Sequence, residues 1–119
     1  MSCLFRAFSH FIPADSPDLI RQKVCNFLAL NRSMAQTDAS TWVVWQNDMN
    51  LTDYLKVMRT EQTWGGAVEI QAFCELYGVL VRVQDLRDSK NLMTFVPATC
   101  PYKRKIAITW NGNHYEPAR

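Results

Sequence analysis

The spacing of apolar residues changes once along this chain of 119 residues, and that change constrains the fold more than any other feature. Up to Gly78 the apolar residues recur mostly every three or four positions, which is the period of an α-helix. After Gly78 they form short runs rich in branched residues, which is typical of β-strands. We therefore expect one domain over residues 1–119, of the α+β class, with N-terminal helices packed on a small, mostly antiparallel C-terminal sheet.

Four helices are predicted, and local signals mark several of their ends. Pro13 terminates the first helix, and Ser16 followed by Pro17 caps the start of the second. Gly78 can close the last helix in a left-handed conformation. The predicted helices cover residues 3–12, 17–31, 51–58 and 68–77. Residues 33–50 show no clear pattern.

Three strands are predicted in the second part of the chain. They cover residues 79–83, 93–96 and 105–110. The sequence "NGN" at 111–113 then predicts a tight turn that leads into "HYE". This turn would place His114 at the beginning of a further extended segment.

Composition excludes several classes of protein. No segment approaches the roughly 18 consecutive apolar residues of a membrane span, and no basic segment followed by an apolar run marks a signal peptide. The net charge is only +2, and the cations are scattered apart from residues 102–105, so neither nucleic acid nor membrane is an expected partner. We expect a cytoplasmic protein. The four cysteines lack CxxC spacing and there are two histidines, which argues against structural zinc.

The cysteines differ in their predicted surroundings. Cys25 and Cys74 fall inside amphipathic helices, where cysteine acts as a small apolar residue. Cys100 precedes a proline in a predicted loop. Cys3 lies in the first turn of the first helix, where unpaired backbone N–H groups and the helix dipole stabilise a thiolate. Cys3 is therefore the best candidate for a nucleophile.

A catalytic cysteine needs a histidine within hydrogen-bond reach. His10 lies two helical turns after Cys3, about 10 Å along the axis, which is too far for a direct bond. His114 could reach Cys3 only if the fold brings the two ends of the chain together. On these residues alone, a free thiol and an unrelated histidine remain an alternative.

Three motifs in fixed order, "CLFRAFS", "TWGGAVEIQAFCELYGVLVRV" and "NHYEP", resemble the ovarian tumour (OTU) family of cysteine proteases. The resemblance covers nearly the whole chain. It implies a papain-like fold of the OTU type and a deubiquitinating activity that cleaves after the C-terminal glycine of ubiquitin. It also implies ubiquitin as the partner, with interferon-induced ubiquitin-like modifiers as alternatives, and neither metal nor cofactor.

The resemblance assigns roles to individual residues. Cys3 corresponds to the nucleophile and His114 to the general base, and Tyr115 matches the aromatic residue that follows the histidine. Trp64, Gly65 and Gly66 match the segment beside the channel for the Gly-Gly tail of the modifier. A core position is an equally good interpretation for Trp64.

Two departures from the family pattern affect the predicted site. Relatives commonly have an Asp-Gly-Asn-Cys loop, whereas only two residues precede Cys3 here. The candidate oxyanion donors are therefore the N–H groups of Ser2 and Cys3, or a donor from elsewhere in the chain. The position that orients the histidine in relatives is occupied by Glu116. Asn111 and Asn113 are alternatives for that role, and Glu116 could equally be a solvated charge.

The small size and short entry segment favour a viral protein, acting in the host cytosol and cut from a polyprotein. Two alternative functions are also compatible with the sequence. One is a ubiquitin-binding module that has lost catalysis, and the other is a protease that processes its own viral polyprotein with the same residues.

Overall fold

The computed structural model describes residues 3–30, 33–34, 37–38, 50–60, 65–98 and 101–118. The helices are α1 (Cys3–Phe11), α2 (Pro17–Ala29), α3 (Leu51–Met58) and α4 (Ala67–Tyr77). The strands are β1 (Ser33–Met34), β2 (Thr37–Asp38), β3 (Val79–Asp85), β4 (Leu92–Phe95), β5 (Arg104–Trp110) and β6 (Tyr115–Pro117). The predicted α+β class and the order of the predicted elements are confirmed.

The strands form two sheets. β1 and β2 make a short antiparallel pair, and the other four strands form one sheet in the order β4-β3-β5-β6. Its two outer pairings are antiparallel, but the central strands β3 and β5 run parallel, with Val79 opposite Arg104 and Asp85 opposite Trp110. The sheet is therefore mixed: two of its three pairings are antiparallel, as expected, around a parallel centre.

The helix ends follow from the signals in the sequence. The Ser16 hydroxyl accepts a bond from the N–H of Leu19 at 3.1 Å, and Pro17 is the first residue of α2. Gly78 adopts the predicted left-handed conformation, with φ 65° and ψ 45°, and its N–H donates to the carbonyl of Cys74. α2 ends at Ala29, slightly before the predicted boundary at residue 31.

The core lies between the helices and the four-stranded sheet, and aromatic rings join its parts. The rings of Phe8 in α1 and Phe73 in α4 stack with centroids 3.7 Å apart, and Phe5 meets Phe8 edge to face. All three side chains are fully buried. Burying a side chain of this size stabilises the fold by about 2–3 kcal/mol. These contacts fix α1 firmly against the rest of the domain.

α1 also packs against β6, the last strand. The two ends of the described chain therefore meet, as the sequence hypothesis required. Within the described residues, no helix combines the length and the apolar character needed to cross a membrane. The same residues contain no cluster of three or more histidine, cysteine or acidic side chains that could hold a metal ion.

Candidate active site

Cys3 is the first residue of α1 and is buried, with 8% of its surface exposed. Its position at the start of a helix agrees with the sequence prediction. The first N–H groups of a helix have no intrahelical partner, so this end of α1 offers donors to a negative charge. Ser2, the other predicted oxyanion donor, lies outside the described residues.

Tyr115 lies where α1 meets β6. Its ring packs on Trp110 with centroids 4.4 Å apart. Burial, together with smaller effects of the charges of Cys3 and Glu69, raises the pKa of Tyr115 to about 12. This electrostatic interaction links the strand that follows His114 to the helix that carries Cys3.

The turn before β6 sets the position of His114. The side-chain oxygen of Asn111 accepts bonds from the N–H groups of Asn113 and His114, at 3.0 and 2.8 Å. Gly112, between them, has φ 108°, a conformation that glycine adopts readily. The predicted "NGN" turn is therefore formed. Asn111, an alternative for orienting the histidine, uses its side-chain oxygen to shape the turn instead.

His114 and Glu116 are both exposed and lie close together. The Nε2 atom of His114 is 3.4 Å from a carboxylate oxygen of Glu116. If Glu116 accepts the Nε2 proton, the Nδ1 atom remains available to face a thiol. Across the part of the chain that the structure describes, the thiol of Cys3 and the imidazole of His114 form no hydrogen bond. Catalytic hydrogen bonds are often long without substrate and shorten when it binds.

Gly65 and Gly66 have different surroundings. A Cβ atom added to Gly65 would lie 2.6 Å from Leu4 and 3.3 Å from Phe5, so Gly65 packs directly on α1. A Cβ atom on Gly66 would meet only Glu69, at 4.0 Å. A side chain at position 65 would therefore require the Leu4 side chain to shift. The sequence did not indicate this close contact. Trp64 lies outside the described residues, and the channel role of this segment stays a prediction.

A buried polar network lies beside α1, and sequence reasoning missed it. Glu69, in the first turn of α4, accepts from the N–H of Gly66 at 2.7 Å and from the hydroxyl of Tyr54. Burial raises the pKa of Glu69 to about 7. The guanidinium of Arg21 is also buried, lies 4.4 Å from the centroid of the Phe5 ring, and donates to the backbone at Met58. The sequence did contain a signal for this role: Glu69 lies three residues after the N-cap Gly66, the spacing of a capping box.

The other candidates are less suited to the chemistry. Burial raises the pKa of the Cys25 thiol to about 11 and that of Cys74 to about 12, so neither is ionised near neutral pH. Cys100 lies outside the described residues. His10 is exposed near the far end of α1, with its ring against Phe11. Cys3 thus remains the leading candidate for a nucleophile among the described cysteines.

Comparison with known proteins gives two curated relatives. The chain is 25% identical over 125 residues to Ubiquitin thioesterase OTU1 of Mus musculus, covering 98% of this chain and 33% of that protein. It is 27% identical over 117 residues to the ovarian tumor domain-containing deubiquitinating enzyme 9 of Arabidopsis thaliana, covering 96% of this chain and 32% of that protein. The chain therefore spans about a third of the length of the curated relatives it matches.

Solved structures share the fold. An OTU domain in complex with ubiquitin has a TM-score of 0.77 at 24% identity, covering 98% of this chain and 62% of that one. The viral OTU domain protease from Dera Ghazi Khan virus has a TM-score of 0.68 at 20% identity, covering 98% of this chain and 72% of that one. A family model described as OTU-like cysteine protease matches residues 2–116. With this match over nearly its full length, and with this fold, the chain belongs to the OTU-like cysteine protease family.

Proposed function

We propose that this chain is a deubiquitinating cysteine protease that hydrolyses the isopeptide or peptide bond after the C-terminal glycine of ubiquitin. The observation that carries the proposal is the packing of α1 on β6, which brings the helix that starts at Cys3 to the strand that follows His114. Family membership and the names of the relatives, a ubiquitin thioesterase and a deubiquitinating enzyme, support the substrate class.

In the proposed mechanism, the sulfur of Cys3 attacks the glycine carbonyl while the Nδ1 atom of His114 takes the thiol proton. The tetrahedral intermediate then breaks its C–N bond, and the amine leaves with the proton from His114. The resulting thioester is attacked by water, which gives a proton to His114, and the ubiquitin carboxylate and the thiol are released. The backbone N–H groups of Ser2 and Cys3 serve as oxyanion donors.

Glu116 orients the imidazole in this proposal. A carboxylate that accepts the Nε2 proton selects the tautomer whose Nδ1 atom is free to act as a base. We expect Glu116→Ala to lower kcat about tenfold, with a smaller loss for Glu116→Gln, whose amide oxygen can still accept that proton. Turnover of a fluorogenic ubiquitin substrate measures both variants. An unchanged kcat in Glu116→Ala would assign Glu116 to the solvated surface.

Covalent labelling tests the central claim. A ubiquitin probe with a C-terminal electrophile should form an adduct with the wild-type protein, and Cys3→Ala should abolish both the adduct and substrate turnover. His114→Ala should lower turnover at least about a hundredfold, whereas the exposed His10 provides a matched control, His10→Ala, with near wild-type activity. Undiminished turnover in Cys3→Ala would refute the assignment.

A second candidate is a ubiquitin-binding module that lacks catalysis. The observation that favours it is the absence of a hydrogen bond between Cys3 and His114 in the described part of the chain, together with the burial of the thiol. This candidate predicts ubiquitin binding without a covalent adduct on Cys3. The same labelling experiment therefore separates the two functions.

The source and exact substrate are finer proposals. Processing of a viral polyprotein in the host cytosol would use the same residues, and it would appear as cleavage of a longer precursor that Cys3→Ala blocks. Parallel probes built on ubiquitin and on an interferon-induced modifier would identify the preferred partner. Faster labelling by one probe assigns the substrate.

A further inference from the structure

The turn that carries His114 is covered on one side by Arg87. A Cβ atom added to Gly112, at the tip of the turn, would lie 3.2 Å from the Cδ atom and 3.3 Å from an Nη atom of Arg87. Arg87 follows β3 and is 25 positions away from Gly112 in the sequence. The side chain of a neighbouring turn therefore rests on the backbone that sets the position of the proposed general base.

Arg87 is itself held in place by Asp85. Its Nε and Nη2 atoms donate to the two carboxylate oxygens at 3.0 and 2.8 Å, and its backbone N–H donates to the same carboxylate at 2.9 Å. Asn91 adds a further bond to Asp85 at 3.2 Å. These bonds, with Arg87 contributing most, lower the pKa of Asp85 to about 2. A bidentate pair of this kind fixes the plane of the guanidinium as well as its position.

The Asp85–Arg87 ion pair flanks Leu86, which connects it to the end of β5, immediately before the turn. The N–H of Leu86 donates to the carbonyl of Trp110 at 2.8 Å. Asp85 and Arg87 also line a cavity of about 180 Å³ together with Trp110 and Tyr115. Asp85 and Arg87 thus share a cavity with Trp110 and Tyr115, the residues on either side of the turn at 111–114.

We propose that Arg87, clamped by Asp85, is a positioning residue that holds the turn at 111–114 so that His114 is kept in place for Cys3. This inference rests on the proposed function for its catalytic consequence. Arg87 does not act on the substrate in this account. The Arg87 side chain is largely exposed, whereas Asp85 is buried. In Arg87→Ala the carboxylate of Asp85 keeps the bonds from the backbone N–H of residue 87 and from Asn91, so removing the guanidinium should loosen the turn without unfolding the domain.

Steady-state kinetics provides the first test. We expect Arg87→Ala to lower kcat about tenfold with a KM within about twofold of wild type, because a displaced base impairs the chemical step and not binding. Arg87→Lys keeps the charge but loses the planar fork, so its kcat should be intermediate. Arg82→Ala is the matched control, since Arg82 is an exposed arginine of β3 outside this cluster. A kcat within twofold of wild type in Arg87→Ala, or a loss entirely in KM, would overturn the inference.

Amide hydrogen exchange tests the inference without relying on activity. The N–H of His114 is bonded within the turn, so its exchange should be at least about tenfold faster in Arg87→Ala and unchanged in Arg82→Ala. Equal exchange in wild type and Arg87→Ala would contradict the inference even if the protein is active. An inactive wild-type protein with faster exchange in Arg87→Ala would instead contradict the proposed function and leave the positioning role supported.

Discussion

Cys3, Cys25 and Cys74 share one functional group but have different surroundings. Cys25 and Cys74 are fully buried inside helices, and the thiol of Cys74 lies 3.6 Å from the carbonyl oxygen of Phe95. Burial is the main cause that raises the pKa of both thiols. Cys3 instead lies at the N-terminus of a helix, where backbone donors are unpaired. The thiolate is the reactive form of cysteine, so reactivity should follow this difference.

Alkylation by iodoacetamide at pH 7.5 should therefore be selective among these three thiols. The pKa values of about 11 for Cys25 and about 12 for Cys74 mean that both stay protonated until the pH is far above neutral. We expect Cys3 to react at least about a hundredfold faster in the native protein. Peptide mass spectrometry measures each rate, and the selectivity should disappear in denaturant. Equal rates in the native protein would contradict this account.

Among the elements, α1 depends on a close approach by the segment that precedes α4. Gly65 contacts Leu4 and Phe5 so closely that a methyl group would collide with Leu4, whereas Gly66 has open space around its α-carbon. The two adjacent glycines thus differ in the space around them: a side chain at Gly65 would collide with Leu4, whereas a side chain at Gly66 would not. The close approach of α1 to this segment therefore depends on the absence of a side chain at Gly65.

Gly65→Ala should destabilise the domain more than Gly66→Ala. Overpacking costs about 1–3 kcal/mol, whereas alanine at the cap position of Gly66 should cost less than about 1 kcal/mol. Urea unfolding measures both variants. Gly65→Ala should also lower turnover, because the displaced residues follow Cys3 directly. Equal stabilities for the two variants would show that α1 can move away without cost.

The ends of helices could be predicted from the sequence because the signals for them are local. Ser16 and Gly78 act on the residues next to them, so α2 begins and α4 ends where the sequence predicted. Strand pairing is different, since the parallel register of β3 and β5 depends on β4 taking the other edge of β3. No property of the isolated strands encodes that choice.

The candidate site could be predicted only in part, because some of its residues meet through contacts between distant parts of the chain. Cys3 was found through its place in the first helical turn, and His114 and Glu116 through short motifs. Their roles stay predictions. Arg87 was missed because it meets Gly112 from the turn after the adjacent strand, at a sequence spacing that matches no motif. Glu69 was missed because a glutamate on a helix is normally exposed, yet this one is fully buried.

At the scale of the whole molecule, the stability of the domain should depend on Glu69. The pKa of its carboxyl is about 7 in the folded protein, against an ordinary value of 4.5, because burial opposes the charge. The folded state therefore holds this proton more tightly than the unfolded state. The stabilising contribution is complete below about pH 4.5 and is lost as the pH rises through 7.

Glu69→Gln should remove this pH dependence. Its amide can still accept from Gly66 and donate to Tyr54, but it cannot ionise. We expect the free energy of unfolding of Glu69→Gln, relative to wild type, to rise by about 2 kcal/mol between pH 5 and pH 8. Denaturant unfolding across this range is the measurement. Parallel curves for the two proteins would show that Glu69 does not titrate there.

The contact between α1 and β6 has a consequence for how the protein refolds. It joins segments more than a hundred positions apart, whereas β3 and β5 are separated by a much shorter stretch. Bringing distant segments together costs conformational entropy before their contacts can stabilise the chain. Local elements are therefore expected to form first. Helical circular dichroism should accordingly recover before covalent capture of Cys3 by an electrophilic ubiquitin probe, and catalytic competence would mark the final step of folding.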